Sequence, residues 1–263
     1  MNIKGGIALI KKSFFSYTAS RGFFWTLALG WMMMPLIYMF VWIVAAGDGS
    51  IGSFTKGDFT SYYIVLMIIN QLTYPVSHWT VGDNIFNGQF SGWLLRPLSP
   101  IYEAIASDIA VKVVCLPFVC VFAIILIMIF KIVITLTLSQ ILLFLLCLLL
   151  AQILRFMLAY SLSLLALMKT KIDSLLSIND AMILLFAGQL VPTVLLPEII
   201  RKASFVLPYR YMLGFPIEIL LGKLDNKQIL FGIGLQCVWI LIVLTLYSFI
   251  WRKGIKHYSA VGG

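Results

Sequence analysis

Six apolar runs dominate the chain, each about as long as the roughly 20 residues needed to cross a bilayer. They lie at about 23–46, 60–82, 104–130, 138–168, 174–196 and 229–251. Inside hydrocarbon every backbone N–H and C=O must find a partner within the protein, and segments of this length do so as helices. The expected fold is therefore an all-α integral membrane protein of six transmembrane helices, forming one domain over 23–263, with both termini on one side. The third and fourth runs exceed the minimum, so they are expected to tilt or to project beyond the bilayer.

Charge supports this placement. Only 11% of the 263 residues are charged, where a soluble domain has about a quarter. The net charge of +9 is carried by short basic clusters beside the apolar runs, a pattern of membrane orientation that excludes a nucleic-acid face and makes lipid the partner. One side collects Lys4, Lys11, Lys12, Arg21, Arg96, Lys169, Lys171, Arg252, Lys253 and Lys256; the other collects Lys56, Lys131, Arg201, Lys202, Arg210, Lys223 and Lys227. The first side is read as cytoplasmic. Cys115, Cys120, Cys147 and Cys237 all sit in apolar runs without a C-x-x-C pair and read as small buried hydrophobes. His78 and His257 are too far apart to found a zinc site, so no metal is expected. The first apolar run follows Arg21 and is too long for a signal-peptide core.

Residues 1–22 form an amphipathic segment ahead of the first run. Ile3, Ile7, Ile10, Phe14 and Tyr17 recur at helical steps, with Lys4, Lys11 and Lys12 off that stripe, which predicts a helix lying in the membrane surface. A plain basic leader is the competing reading, because Gly5-Gly6 weakens the helix at its start.

The stretch Asp83–Pro100, DNIFNGQFSGWLLRPLSP, interrupts the apolar pattern between the second and third runs. Ile85, Phe86, Phe90 and Trp93 stand at roughly helical spacing, with Gly88 and Gly92 between them. Asp83 or Asn84 can cap a helix start, and Arg96-Pro97 ends it, since a residue before proline is driven from the α region. A short helix between two spans has no core of its own for Phe90 and Trp93, so a partner protein is expected to cover them. An interfacial helix on lipid is the alternative, although Arg96 is the only basic residue it has.

A second irregular stretch, Gly188–Gly222, carries Pro192, Pro197, Pro208 and Pro216 among apolar pieces too short to span. Short helices dipping back into the membrane fit this pattern, and an ordinary extracellular loop is the alternative. Within the runs, Asn70, Gln71, Thr73, Ser77, His78, Gln152, Arg155, Asn179, Asp180 and Gln189 are polar; such residues seldom face lipid and mark helix contacts or a wet path. Arg155 reads equally as a snorkelling side chain, and Asp180 as a residue near the surface. No HExxH, GxSxG or phosphate-binding loop occurs, so no catalytic residues are assigned and any ATP site belongs to another chain.

Taken in order, the basic amphipathic helix, six runs, G-x-x-x-G-W-L-L-R-P at Gly88–Pro97, and the proline-broken segment before the last run resemble the ABC-2 type permeases. The ending Trp251–Gly263, WRKGIKHYSAVGG, is similar to the tail of a bacterial branch of that family. The resemblance implies a coupling helix over 84–96 that docks on an ATPase through Asn84, Ile85, Phe86, Gln89, Phe90, Trp93, Leu94 and Arg96. It implies an extracellular re-entrant gate over 192–222, with Pro192, Pro197, Pro208 and Pro216. It also implies a substrate pathway with Asn70, Gln71, Tyr74, Phe186 and Gln189 as candidates. The partners implied are two copies of an ABC ATPase, which bind ATP and Mg, and a second permease, identical or related. The expected activity is ATP-driven export of an amphiphilic or hydrophobic compound such as a drug, lipid or modified peptide across a bacterial cell membrane. A glycan exporter of the same family and a non-transporting membrane scaffold or sensor are the alternatives.

Overall fold

The computed structural model describes residues 3–19, 21–132, 137–168 and 172–258. The helices run α1 Ile3–Ala19, α2 Arg21–Ala46, α3 Lys56–Thr73, α4 Ser77–Phe86, α5 Phe90–Leu94, α6 Pro100–Phe130, α7 Leu138–Ser163, α8 Asp173–Phe186, α9 Glu198–Val206, α10 Gly214–Leu220 and α11 Asn226–Gly254. A two-residue hairpin, β1 Ser50–Ile51 with β2 Phe54–Thr55, joins α2 to α3. Lys169, Lys171 and the last five residues of the tail motif lie outside the described residues.

Three of these helices start where the sequence supplies both halves of a capping box. Thr55 with Asp58, Thr137 with Gln140, and Asp225 with Gln228 each exchange side-chain and backbone hydrogen bonds at the starts of α3, α7 and α11. Among the described residues, four helices are long and apolar enough to cross a membrane: Phe24–Ala46, Pro100–Phe130, Leu138–Leu167, where α7 runs into a 3-10 turn, and Asn226–Gly254. Their outward faces carry exposed bulk such as Phe40, Val121, Leu145 and Leu241, a surface suited to hydrocarbon.

The second and fifth runs depart from the single long helices expected of them. Over 60–82 the helix breaks between α3 and α4, because Pro75 has no N–H to give and holds Tyr74 in an extended conformation. Over 174–196 the helix stops at Phe186, 14 residues that rise only about 21 Å at 1.5 Å each. Gly188 then turns the chain with φ of +80°, a conformation that a side chain would strain. The turned segment is fastened to the preceding helices: Tyr62 donates to the Gly188 carbonyl at 2.8 Å, and Trp42 and Tyr63 both donate to the Leu190 carbonyl.

α3 is the centre of the packing. It touches α2, α6, α7 and α10, and buries Phe59, Tyr62, Tyr63, Leu66 and Ile69. α1 lies along α6, its Phe14 and Tyr17 meeting Val111, Val114 and Cys115, so the predicted stripe faces protein through these two residues while Ile7 is half exposed. Cys115 and Cys147 are buried as expected, but Cys237 is exposed on the outward face of α11. At the aqueous end of α3, burial alone raises the Asp58 carboxyl; hydrogen bonds from Lys223 and Thr55 outweigh it and hold that carboxyl below its ordinary value.

α10 and α11 meet at a glycine. A Cβ on Gly232 falls 2.2 Å from Cζ of the fully buried Phe215, so the ring occupies the place of a side chain. Gly232→Ala is expected to cost about 1–3 kcal/mol through overpacking. Gly234→Ala, with nothing within 4 Å of its Cβ, is expected to be neutral or stabilising. Thermal unfolding of the two variants in detergent, side by side, checks the contrast.

Candidate functional site

Tyr74, freed from the helix by Pro75, turns into a cavity of about 470 Å³. α2 contributes Gly30, Trp31, Met34, Pro35 and Tyr38, α3 contributes Asn70, α7 contributes Arg155, and α8 contributes Asp180, Ile183 and Leu184; Gln189 closes the far side. Of the five pathway candidates, the cavity unites Asn70, Tyr74 and Gln189. Gln71 is buried elsewhere on α3, and Phe186 stacks on Tyr209, their ring centroids 6.5 Å apart.

Arg155 does not snorkel. It is 3% exposed, and its Nη1 donates to Asn70 Oδ1 and Thr73 Oγ1, both at 2.9 Å. Its guanidinium lies 5.3 Å from the centroid of the Tyr74 ring, whose other neighbour is Trp31 at 3.9 Å. Arg155 Nε has no hydrogen-bond partner among the described residues. Asp180, read from the sequence as a surface residue, instead lines the same cavity with its side chain 40% exposed. His78 Nε2 sits 3.1 Å from Asp180 Oδ1 without the alignment of a hydrogen bond, which places α4 against α8.

A second polar group lies behind the break. Asp108 on α6 accepts from the Val76 N–H at 3.0 Å and from Gln152 Nε2 at 3.0 Å, and pairs with Lys112. The carboxylate thus satisfies a backbone donor where α4 begins. Sequence reasoning missed Asp108 and Lys112. Their spacing of four within an apolar run is the signal that marks them, since two opposite charges one turn apart can enter a membrane together.

On the far side, each proline of the broken segment stands at or next to the start of a helical piece. Pro192 and Pro197 precede the 3-10 turn Thr193–Leu195 and α9, Pro208 precedes the turn Arg210–Met212, and Pro216 lies in the first turn of α10. Glu218 of α10 is buried and accepts from Thr193 Oγ1 and Arg210 Nη2. Arg210 in turn stacks on Phe205 at 4.0 Å.

The segment from Asp83 to Pro100 is built differently from the single helix expected over 84–96. Asp83 and Asn84 lie inside α4 and cap nothing; the break falls at Asn87–Gln89, where Gly88 takes φ of +74°. Phe90 does not await a partner, being fully buried by this chain against Trp93, Trp251 and Tyr258. Ser91 Oγ and Tyr258 Oη are 2.9 Å apart, so the chain after α11 latches this segment. Ile85 is buried, Trp93 and Leu94 are half-buried, and Gln89 and Arg96 are exposed. The exposed bulk is Phe86, at 46%, and Leu95, at 88%. Arg96 and Lys12 both pair with Glu103, each at 2.6 Å, which ties α1 to the same segment.

Comparison with the curated proteins finds no match for this chain. A family model does match, that of the ABC-2 family transporter proteins, over residues 29–262. That span takes in the cavity, the segment between the second and third runs, and the proline-broken segment. The helical fold with its apolar outer faces and this match agree: the chain belongs to the ABC-2 transporter family, whose members are multi-pass, transport-type membrane subunits that associate with ABC ATPases.

Proposed function

We propose that the chain is the membrane subunit of an ATP-driven exporter that moves an amphiphilic or hydrophobic compound out of the cytoplasm or inner leaflet of a bacterial cell membrane. The observation that carries this reading is the cavity beside the break in the second passage, with apolar and aromatic walls and a few fixed polar groups, as ligand sites have. Six passages run through α2, α3 with α4, α6, α7, α8 with the chain after it, and α11, leaving both termini and the 83–100 segment in the cytoplasm. Two ATPase copies bind ATP and Mg. A second permease, identical or related, faces this one. Closure of the ATPases moves the 83–100 segment, and α4 carries that movement to Tyr74, which lies three residues ahead of its start, across Val76 and Pro75. The Pro192–Gly222 segment is the outer gate.

The docking surface is the exposed edge with Phe86, Gln89, Leu95 and Arg96, while Phe90 supports it from within. Two variants test the reading in inverted membrane vesicles. Gly30 lines the cavity and a Cβ there meets nothing within 4 Å, so Gly30→Leu adds bulk at the cavity wall. ATP-driven uptake of a fluorescent amphiphile is expected to fall at least about tenfold, a loss of 1.4 kcal/mol of pathway affinity or more, with the ATPase still bound. Leu95→Ser with Phe86→Ser is expected to do the reverse and release the ATPase from a folded permease. Undiminished uptake by Gly30→Leu would show that the pathway lies elsewhere.

A further inference from the structure

We propose that the cavity, on the reading that it is the transport pathway, takes an amphiphile with a zwitterionic head. The anionic group of that head lies on Arg155, and its cationic group lies between Asp180 and the rings of Trp31 and Tyr74.

The argument starts from two charges that line one cavity and do not close on each other. Arg155 is buried, and among the described residues no carboxylate oxygen comes within 4.0 Å of it. Its two hydrogen bonds go to neutral oxygens, and Nε remains without a partner. A desolvated guanidinium whose hydrogen bonds go to neutral groups is costly in an apolar setting, and an anion in direct contact relieves the cost. Asp180 offers the opposite charge to the same space, and among the described residues its neighbour at ion-pair distance is the buried His78 ring.

A head bearing one charge meets a like charge whichever way it sits. An anion on Arg155 faces Asp180, and a cation on Asp180 faces Arg155; each arrangement carries a repulsion that discriminates against it. A zwitterion meets both charges with their opposites. The cationic side is also served by the indole of Trp31, packed on Tyr74 at 3.9 Å, since aromatic faces attract ammonium groups. Met34 and Leu184 extend the wall in apolar material that suits a hydrocarbon chain.

The test uses the full chain with its ATPase, held in maltoside detergent and immobilised for scintillation proximity binding at one fixed pH. The probes are dodecylphosphocholine, dodecyl phosphate and dodecyltrimethylammonium, all below their micellar concentrations. Dodecylphosphocholine is expected to bind about tenfold tighter than either probe whose head carries charge of one sign only, the size of one charge-assisted hydrogen bond. Arg155→Gln is expected to erase its advantage over trimethylammonium, with Arg155→Lys restoring part of it. Asp180→Asn, at a side chain exposed enough to tolerate the change, is expected to erase its advantage over the phosphate. Equal binding of the three probes to the unmodified chain, or a ranking that Arg155→Gln and Asp180→Asn both preserve, overturns the assignment. Gly30→Leu separates this from failure of the pathway reading: probe binding that it leaves intact overturns the pathway, whereas binding that it abolishes but that lacks head preference overturns the zwitterion alone. Competition by glycerophosphocholine, which has the head without the chain, supports a free zwitterionic solute. Its failure to compete, with the ranking intact, supports a lipid.

Discussion

Glu218→Ala is expected to destabilise the protein by about 3–5 kcal/mol, among the largest effects of any single replacement outside the apolar core. The carboxylate is buried and answers two groups, the hydroxyl of Thr193 and the guanidinium of Arg210, whose side chain is only 4% exposed. Without Glu218, Arg210 keeps, among the described residues, the neutral side chains of Phe205, Tyr211 and Phe215. A cation–π contact is worth about 0.5–2 kcal/mol, too little to hold a desolvated cation. Arg210→Met alone is expected to cost nearly as much, by stranding the carboxylate. The double replacement Glu218→Leu with Arg210→Met is expected to recover most of the loss, because an apolar pair of similar volume often matches a buried ion pair. Melting curves of the four proteins in one detergent give the coupling between the sites directly. Additive losses would mean that the two side chains do not act as a pair and that the proline-broken segment is held by its prolines and aromatic contacts.

Length and apolarity made four passages legible, because hydrocarbon thickness imposes the same requirement on every chain. The same criterion misreads the second and fifth, since averaging over 20 residues hides a single backbone defect. Pro75 is visible in the sequence and does break the helix. Gly188 is also visible, but its turn is settled by Tyr62, which lies 126 residues earlier. The cavity was half legible. Asn70, Tyr74 and Gln189 stand out as polar or aromatic residues in apolar runs, yet the role of Arg155 depends on Asn70 and Thr73, some 85 and 82 positions away. A snorkelling arginine and a buried one look alike until the neighbouring helix is in place. Phe90 shows the converse error. Its apparent lack of a core followed from reading 83–100 alone, whereas Tyr258, far along the chain, covers it.

Asp108→Ala is expected to separate ATP hydrolysis from transport and to cost about 3–5 kcal/mol of stability. The carboxylate holds three things at once: the Val76 N–H at the start of α4, the amide of Gln152 on α7, and the ammonium of Lys112, whose side chain is 14% exposed. Alanine leaves all three without this acceptor, and Lys112 becomes a largely desolvated cation that has lost its counter-charge. Asp108→Asn keeps an acceptor for Val76 while losing the charge, so a smaller loss is expected. Combining it with Lys112→Met removes the stranded cation and is expected to recover stability close to that of the unmodified chain. The functional consequence rests on position. α4 leads from the break beside Tyr74 to the exposed Phe86, and Asp108 is what ties the start of α4 to α6. A loosened start lets the Phe86 end of α4 move without carrying Tyr74 with it. Vesicles containing the alanine variant should therefore hydrolyse ATP at a near-normal rate and take up little amphiphile, while the asparagine and methionine pair should restore uptake in step with stability. If that pair regains stability but not uptake, the charge on Asp108 serves transport itself, and the tie to Val76 is not the whole of its role.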